Sequence, residues 1–421
     1  MNKFKSYKYY TGLTSQVGFC ATPLRLDPYN KCQYGCGYCF ASTRQGHGRS
    51  RSFQVANPDS LRNRLERVHN GEIASAVDEM IARRVPFQLG GMSDPFTPIE
   101  SQLSVTKSYI EILNRWNYPF IISTKSVLVA EKPYISALSD SNCYVRFSIT
   151  GINPADRKLV DRGCPDVESI GKAAKELSAN GVPICFRFQP IIPGHERFLT
   201  PLVSLAVESG VKHISAEFLK VPIDANKKFS QPLRKLMNDN PISYMKNLGA
   251  VRQGREYVLP LEYRASPIIN LATDVRSKGL TFGFADNDLL LYSDGMACCG
   301  ASDLYLRESN FFTANITYLA KSASIGSHLK FEEFLSSWMP KYAISTYLNS
   351  KARITGTHLT EPEWLEYLKE MWKGNLGIYS PNYFDGICDT GIKDDNGMPI
   401  YQRIESSFER CLRERAQLSN I

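Results

Sequence analysis

The stretch Ile184-Cys185-Phe186-Arg187-Phe188-Gln189 alternates strictly, with apolar residues on one face and Cys185, Arg187 and Gln189 on the other. Such alternation marks an extended strand with two unlike faces. Three more stretches repeat it. Val145-Arg146-Phe147-Ser148-Ile149-Thr150 sets Arg146, Ser148 and Thr150 apart, His213-Ile214-Ser215-Ala216-Glu217 sets Ser215 and Glu217 apart, and Ile121-Ile122-Ser123-Thr124-Lys125 does so with Ser123 and Lys125. Strands of a doubly wound sheet are covered on both faces and read as unbroken Val, Ile and Leu. One polar face per strand suits instead a barrel whose lumen is a working cavity and whose outer face packs on helices.

Outward from these strands, candidates at 21–26, 86–91, 119–126, 144–151, 183–192 and 213–218 alternate with amphipathic stretches at 73–84, 101–116, 167–180 and 199–209. That rhythm belongs to a parallel βα fold. The expectation is an α/β chain with a partial (βα)6 TIM-type barrel over residues 20–225 and an N-terminal arm at 1–19. Residues 226–421 would form an α+β region acting as cap or substrate domain. There the rhythm fails, with helices expected at 231–238 and 361–373 and a strand pair at 280–285 and 289–292.

Composition narrows the classes. No run of ~18 apolar residues occurs in the 421, so neither a membrane span nor a membrane partner is expected. The start is rich in Lys and Tyr without an apolar stretch, which argues against a secretory signal and for a cytoplasmic location. The net charge of +8 accommodates a nucleic-acid or phosphate-bearing partner without requiring one. Eleven cysteines, an odd number, speak against a disulfide framework.

Three of those cysteines fall in Lys31-Cys32-Gln33-Tyr34-Gly35-Cys36-Gly37-Tyr38-Cys39-Phe40, a C-x3-C-x2-C loop. Three thiolates in one loop can hold three irons of a [4Fe–4S] cube and leave the fourth iron without a protein ligand. The alternative is zinc, with Cys20 or His47 as fourth ligand, although zinc loops usually pair two cysteines here with two more ligands further on.

With an aromatic residue just before its last cysteine and a strand ahead of it, this loop resembles the signature of the radical S-adenosylmethionine (SAM) enzymes. Other segments are similar to the family's strand-end motifs over residues 20 to about 225. Gly90-Gly91-Met92-Ser93-Asp94-Pro95 is similar to the turn that receives the SAM amino group. Ser123-Thr124-Lys125-Ser126 and Ser148-Ile149-Thr150 end the next two strands, and Pro190-Ile191-Ile192-Pro193-Gly194 is similar to an adenine-contacting segment. The run from Ser93 to Glu100 followed by Thr124-Lys125-Ser126 resembles the spore photoproduct lyase and DNA repair photolyase branch.

The resemblance implies a lyase- or transferase-type enzyme. Its [4Fe–4S] cluster, on Cys32, Cys36 and Cys39, would cleave SAM reductively to a 5′-deoxyadenosyl radical, with an electron donor such as flavodoxin or ferredoxin. It implies cofactor contacts by Tyr38, Gly90, Gly91, Met92, Ser93, Asp94, Lys125, Ser148 and Ile192, and a nucleic acid or nucleotide as substrate. A peptide or small metabolite is the alternative substrate, and a non-catalytic zinc protein binding nucleic acid the alternative of another class. Two departures stand out. Met92 occupies the place of a carboxylate, and no cysteine lies between Cys39 and Cys143, where spore photoproduct lyases carry a hydrogen donor. Cys185, on a polar strand face, is the candidate for that catalytic relay.

Two further stretches invite function. Gly295-Met296-Ala297-Cys298-Cys299-Gly300, with Cys388, could form a second metal site holding another iron–sulfur cluster. Arg44-Gln45-Gly46-His47-Gly48-Arg49-Ser50-Arg51 could grip phosphates.

Overall fold

The computed structural model describes residues 4–39, 41, 52–336, 338–342, 344, 361–375 and 380–418; the basic loop at 44–51 lies outside them. Alternating sequences become strands β1 (Thr11–Leu13), β2 (Leu24–Leu26), β3 (Phe87–Leu89), β4 (Phe120–Thr124), β5 (Cys143–Gly151), β6 (Ile184–Ile191), β7 (His213–Phe218) and β8 (Thr281–Phe284). They form one eight-stranded sheet in chain order, β1 antiparallel to β2 and every other neighbouring pair parallel. The order never reverses, so the sheet has none of the switch points of a doubly wound fold. Crossovers of one hand in one direction send the connecting helices to a single face.

Those helices are α1 (Pro58–His69), α2 (Ala76–Ala82), α3 (Val105–Arg115), α4 (Lys132–Leu138), α5 (Val167–Ala179), α6 (Leu199–Glu208) and α7 (Leu261–Ser277). Asn57 and Asp166 cap α1 and α5 by accepting from the N–H groups of Asp59 and Ser169. Helix α5 packs on β5 and β6. Phe147, Ile149, Phe186 and Phe188 are fully buried in the main core, each stabilising it by about 1.5–3 kcal/mol.

Three expectations need correction. The stretch at 101–116 is two helices, Glu100–Leu103 and α3, parted by Ser104 at φ 51°. The buried Glu100 carboxylate turns back and accepts from the Thr106 and Lys107 N–H groups, each at 3.0 Å, which caps α3 and forces the break. Strand β8 does not pair with 289–292 but joins β7, and Asn287–Tyr292 is a 3-10 helix with all six residues buried. Its run Leu289-Leu290-Leu291-Tyr292 has no alternation to hold a two-faced strand. At the other edge, β1 draws part of the N-terminal arm into the sheet.

Beyond β7 the chain also forms two three-stranded antiparallel sheets, and helices Gln231–Leu236, Glu361–Trp372 and Ser407–Leu418. The apolar residues of these parts, Trp372, Tyr401 and Phe408 among them, share one core with the central strands. Among the described residues no helix is long and apolar enough to cross a membrane.

Candidate active site beside the cysteine loop

The cysteine loop is fastened by backbone pairing to a segment far along the chain. Gly35–Cys36 pairs antiparallel with Asp161–Arg162, Cys36 opposite Asp161. The Gly37 N–H donates to Val160 O at 2.7 Å, and the Ser230 N–H donates to Gly37 O at 3.1 Å. Cys36 Sγ lies 3.9 Å from Cys164 Sγ.

Among the described residues, one group of potential metal ligands has all its ligand atoms within 4.8 Å of one another: Cys36, Asp161 and Cys164. Cys32, Cys36 and Cys39 do not converge that closely. Four-coordinate zinc draws its sulfurs to ~2.3 Å from one ion, whereas a cube places each cysteine on a different iron. The loop thiols are nevertheless neighbours. Burial chiefly pushes the Cys32 thiol up, to about 11, and Asp94, Cys39 and Cys36 push the same way. Cys36 is raised by its hydrogen bond with Cys164 and by burial.

Asp161, which the sequence did not single out, is the hub between loop and sheet. It accepts from Thr150 Oγ1 at 2.8 Å and from the Tyr38 hydroxyl, and lies 3.3 Å from Lys125 Nζ and 3.6 Å from Arg157 Nε. Burial alone would raise its carboxyl, but Lys125, Tyr38 and Arg157 hold it below the carboxylate range. Lys125 Nζ also donates to Ser148 O at 3.3 Å and lies 5.6 Å from the centre of the Tyr38 ring. Burial would lower this lysine; Asp161 together with the Cys36 and Cys164 thiols raises it instead.

Tyr38, Gly90, Gly91, Met92, Lys125 and Ser148 line a cavity of about 270 Å³ on the polar face of the sheet. The turn at its edge is held from below by the buried Asp27, whose Oδ1 accepts from the N–H groups of Met92 at 2.8 Å and Ser93 at 3.2 Å. Burial raises Asp27 to about 6 despite those bonds. Gly90 has φ +93°, and a Cβ there would stand 2.5 Å from Ser123 O and 2.7 Å from Pro95 Cδ, so only glycine makes this turn.

The remaining expected residues lie elsewhere. Ser93 donates its hydroxyl to Tyr29 O at 2.5 Å. Both Asp94 oxygens are engaged, Oδ1 by Thr124 Oγ1 at 2.7 Å and the Phe96 N–H at 2.9 Å, Oδ2 by the Lys125 N–H at 2.7 Å. Asp94 thus ties the end of β3 to the end of β4. Ile192 is fully buried in the core. Cys185 does not line the cavity but packs with Ala21, Ile121, Tyr144 and Cys299 in a small apolar floor. The second metal site is not assembled: Cys298 and Cys299 border a lower cavity of about 70 Å³, whereas Cys388 sits on the strand Ile387–Lys393 opposite Gln402. No group of metal ligands joins them among the described residues: Cys298 and Cys299 lie in a turn beside the lower cavity, whereas Cys388 lies in the strand Ile387–Lys393.

No family model and no curated protein matches the sequence. Among solved structures the chain is similar to a spore photoproduct lyase mutant, at 18% identity over 66% of this chain and 76% of that one, with a TM-score of 0.44. It is also similar to spore photoproduct lyase complexed with dinucleoside spore photoproduct, at 18% identity over 66% and 75%, TM-score 0.45. Streptococcus suis SuiB bound to S-adenosylmethionine matches at 14% identity over 55% and 48%, TM-score 0.35.

Proposed function

We propose that this chain is a radical SAM enzyme in which Cys32, Cys36 and Cys39 hold a [4Fe–4S] cluster with one open iron. SAM would bind in the adjoining cavity, and a nucleic acid or nucleotide would be the substrate. The sequentially ordered sheet reads as the partial (βα)6 barrel of that core, extended by β8, with the rest of 226–421 as its cap.

One observation carries this reading: Lys125 belongs to the cavity and to the cysteine loop at once. Its ammonium lies in the cavity wall and is paired with Asp161, whose strand neighbour is Cys36. A carboxylate held by Lys125 is therefore held beside the metal-binding thiols. When bound, the cluster would supply the electron for reductive cleavage of SAM, the source of the 5′-deoxyadenosyl radical that would act on the substrate.

The chain's own residues bind and orient. Met92 offers no carboxylate, so the backbone carbonyls of the Gly90–Met92 turn accept from the SAM ammonium, with Asp27 fixing the turn. Ser148 donates to the ribose or carboxylate. Tyr38, locked by Thr150 and Asp161, keeps Lys125 in place through its ring. A donor such as flavodoxin or ferredoxin would reduce the cluster.

The test is release of 5′-deoxyadenosine from SAM by the dithionite-reduced protein, measured by mass spectrometry. Cys36→Ala should abolish it, and undiminished turnover by that variant overturns the ligand assignment. A second reading, a zinc protein, has the close group Cys36, Asp161 and Cys164 in its favour. There Asp161 would have to give up Lys125, Tyr38 and Thr150 to bind an ion. Bound zinc that disappears in Cys164→Ser would select it.

A further inference from the structure

Below the Gly90–Met92 turn, three arginines meet in the lumen. Arg25 stands on β2, Arg146 on β5 and Arg187 on β6, and all three border both the upper and the lower cavity. The Arg25 stem crosses Gly91, where a Cβ would stand 2.6 Å from its Cδ. Its guanidinium makes no hydrogen bond or ion pair among the described residues. Arg146 donates from Nε and one terminal nitrogen to Ser123 Oγ, at 3.2 and 2.7 Å, and to Gln88 Oε1 at 3.3 Å, and has no carboxylate partner among them. Arg187 pairs with Glu217 at 3.3 Å, but Lys220 shares that carboxylate at 2.5 Å, and Arg187 Nε is buried without a partner.

The charges do not balance. Lys125 is answered by Asp161, which leaves Arg25, Arg146, Arg187 and Lys220 lining the upper cavity against one carboxylate, Glu217. Asp27 acts on Arg25 through space, but its Oδ1 is committed to the Met92 and Ser93 N–H groups. Burial, chiefly, lowers the pKa of both Arg25 and Arg187, and each is lowered further by Arg146. Guanidiniums crowded in this way call for an anion. SAM cannot be that anion, since it carries an ammonium and a sulfonium against one carboxylate, which Lys125 serves. The cysteine loop does not answer the need either, because Cys36 bears on Lys125 and the thiols near the arginines are Cys20, Cys185 and Cys298.

We infer that Arg25, Arg146 and Arg187 form a binding site for the terminal phosphoryl group of a small phosphate monoester that is the substrate. A phosphoryl group offers three oxygens and about two charges to three guanidiniums, whereas one Arg fork satisfies a carboxylate. Beneath them the lower cavity is only about 70 Å³ and adjoins the buried apolar cluster of Ala21, Ile121, Tyr144 and Cys185. A chain end fits there and a continuing phosphodiester strand does not. The substrate role rests on the proposed radical SAM reading; the phosphoryl site does not.

The test is isothermal titration of the purified full chain with adenosine 5′-monophosphate, inorganic phosphate, adenosine and acetate. Both phosphates should bind and adenosine and acetate should not. Arg25→Gln, at a guanidinium with no hydrogen bond or ion pair among the described residues, should weaken phosphate binding at least tenfold, and Arg25→Lys should restore part of it. Phosphate binding indifferent to Arg25→Gln and Arg187→Gln, binding of acetate alone, or no binding of either phosphate overturns the inference. Because SAM cleavage is scored separately, loss of cleavage with phosphate binding intact removes the radical reading and leaves the anion site standing.

Discussion

Lys125 Nζ and Asp161 Oδ2 lie 3.3 Å apart, both nearly buried, and this pair joins the wall of the cavity to the strand that pins Cys36. The two partners serve different ends. Lys125→Met should weaken SAM binding by about 10- to 100-fold, the worth of one charge-assisted hydrogen bond of about 1.5–3 kcal/mol, without lowering iron content. Asp161→Asn leaves Lys125 and Arg157 without their carboxylate and should cost roughly 3 kcal/mol of stability together with iron. Equilibrium dialysis with SAM, iron analysis and thermal melts separate the two.

The two glycines of the turn should respond unequally. Gly90→Ala places a Cβ against the Ser123 carbonyl at a φ of +93°, and should destabilise the fold by roughly 1–3 kcal/mol. Gly91→Ala meets only the stem of Arg25, which can swing aside. Its melting temperature should stay close to that of the parent while ligand binding in the cavity falls.

Asp27 gives the protein a pH dependence of defined sign. Its carboxyl is raised in the folded chain from 3.8 to about 6 by burial, so the folded state holds a proton that the unfolded state has lost. Stability attributable to this group is full below pH ~4 and is lost as pH rises to about 6, by at most about 3 kcal/mol. Asp286, also raised, adds a slope of the same sign. The difference in unfolding free energy between parent and Asp27→Asn should therefore change across this window and be flat above it, as denaturant titrations at successive pH values would record.

Cys164 sits 3.9 Å from Cys36 without belonging to the loop. Cys164→Ser should keep the iron content of the parent after anaerobic reconstitution, whereas Cys36→Ala should lose most of it. Equal losses in both would make Cys164 a ligand.

The central strands were legible because each carries a polar face toward the cavity and an apolar face for the helices, an alternation that survives in isolated sequence. β8 was legible as a strand but not in its pairing, since the buried run 289–292 shows no period that separates a strand from a helical turn. β1 escaped notice because three residues, Thr11-Gly12-Leu13, carry no pattern. Around the cavity, the cysteine loop and Lys125 stand out in local sequence. Asp161 could not, because its role depends on a strand pairing over more than a hundred residues. Arg146 and Arg187 stood out on polar faces, but Arg25 lies in a strand too short to show phase, and the meeting of the three is a property of the assembled sheet. Ser93 and Asp94 look like ligands in sequence, but in the fold the Ser93 hydroxyl donates to Tyr29 O and Asp94 accepts from Thr124, Lys125 and Phe96, contacts that local sequence does not show.

The central claim is that three loop thiolates leave one iron open to SAM. The most direct measurement is low-temperature electron paramagnetic resonance of the anaerobically reconstituted, dithionite-reduced protein with and without SAM, alongside iron and acid-labile sulfide analysis. The account predicts iron and sulfide near about four each per chain and a cluster signal that changes when SAM is added. Zinc without sulfide, or a cluster signal indifferent to SAM, would contradict it.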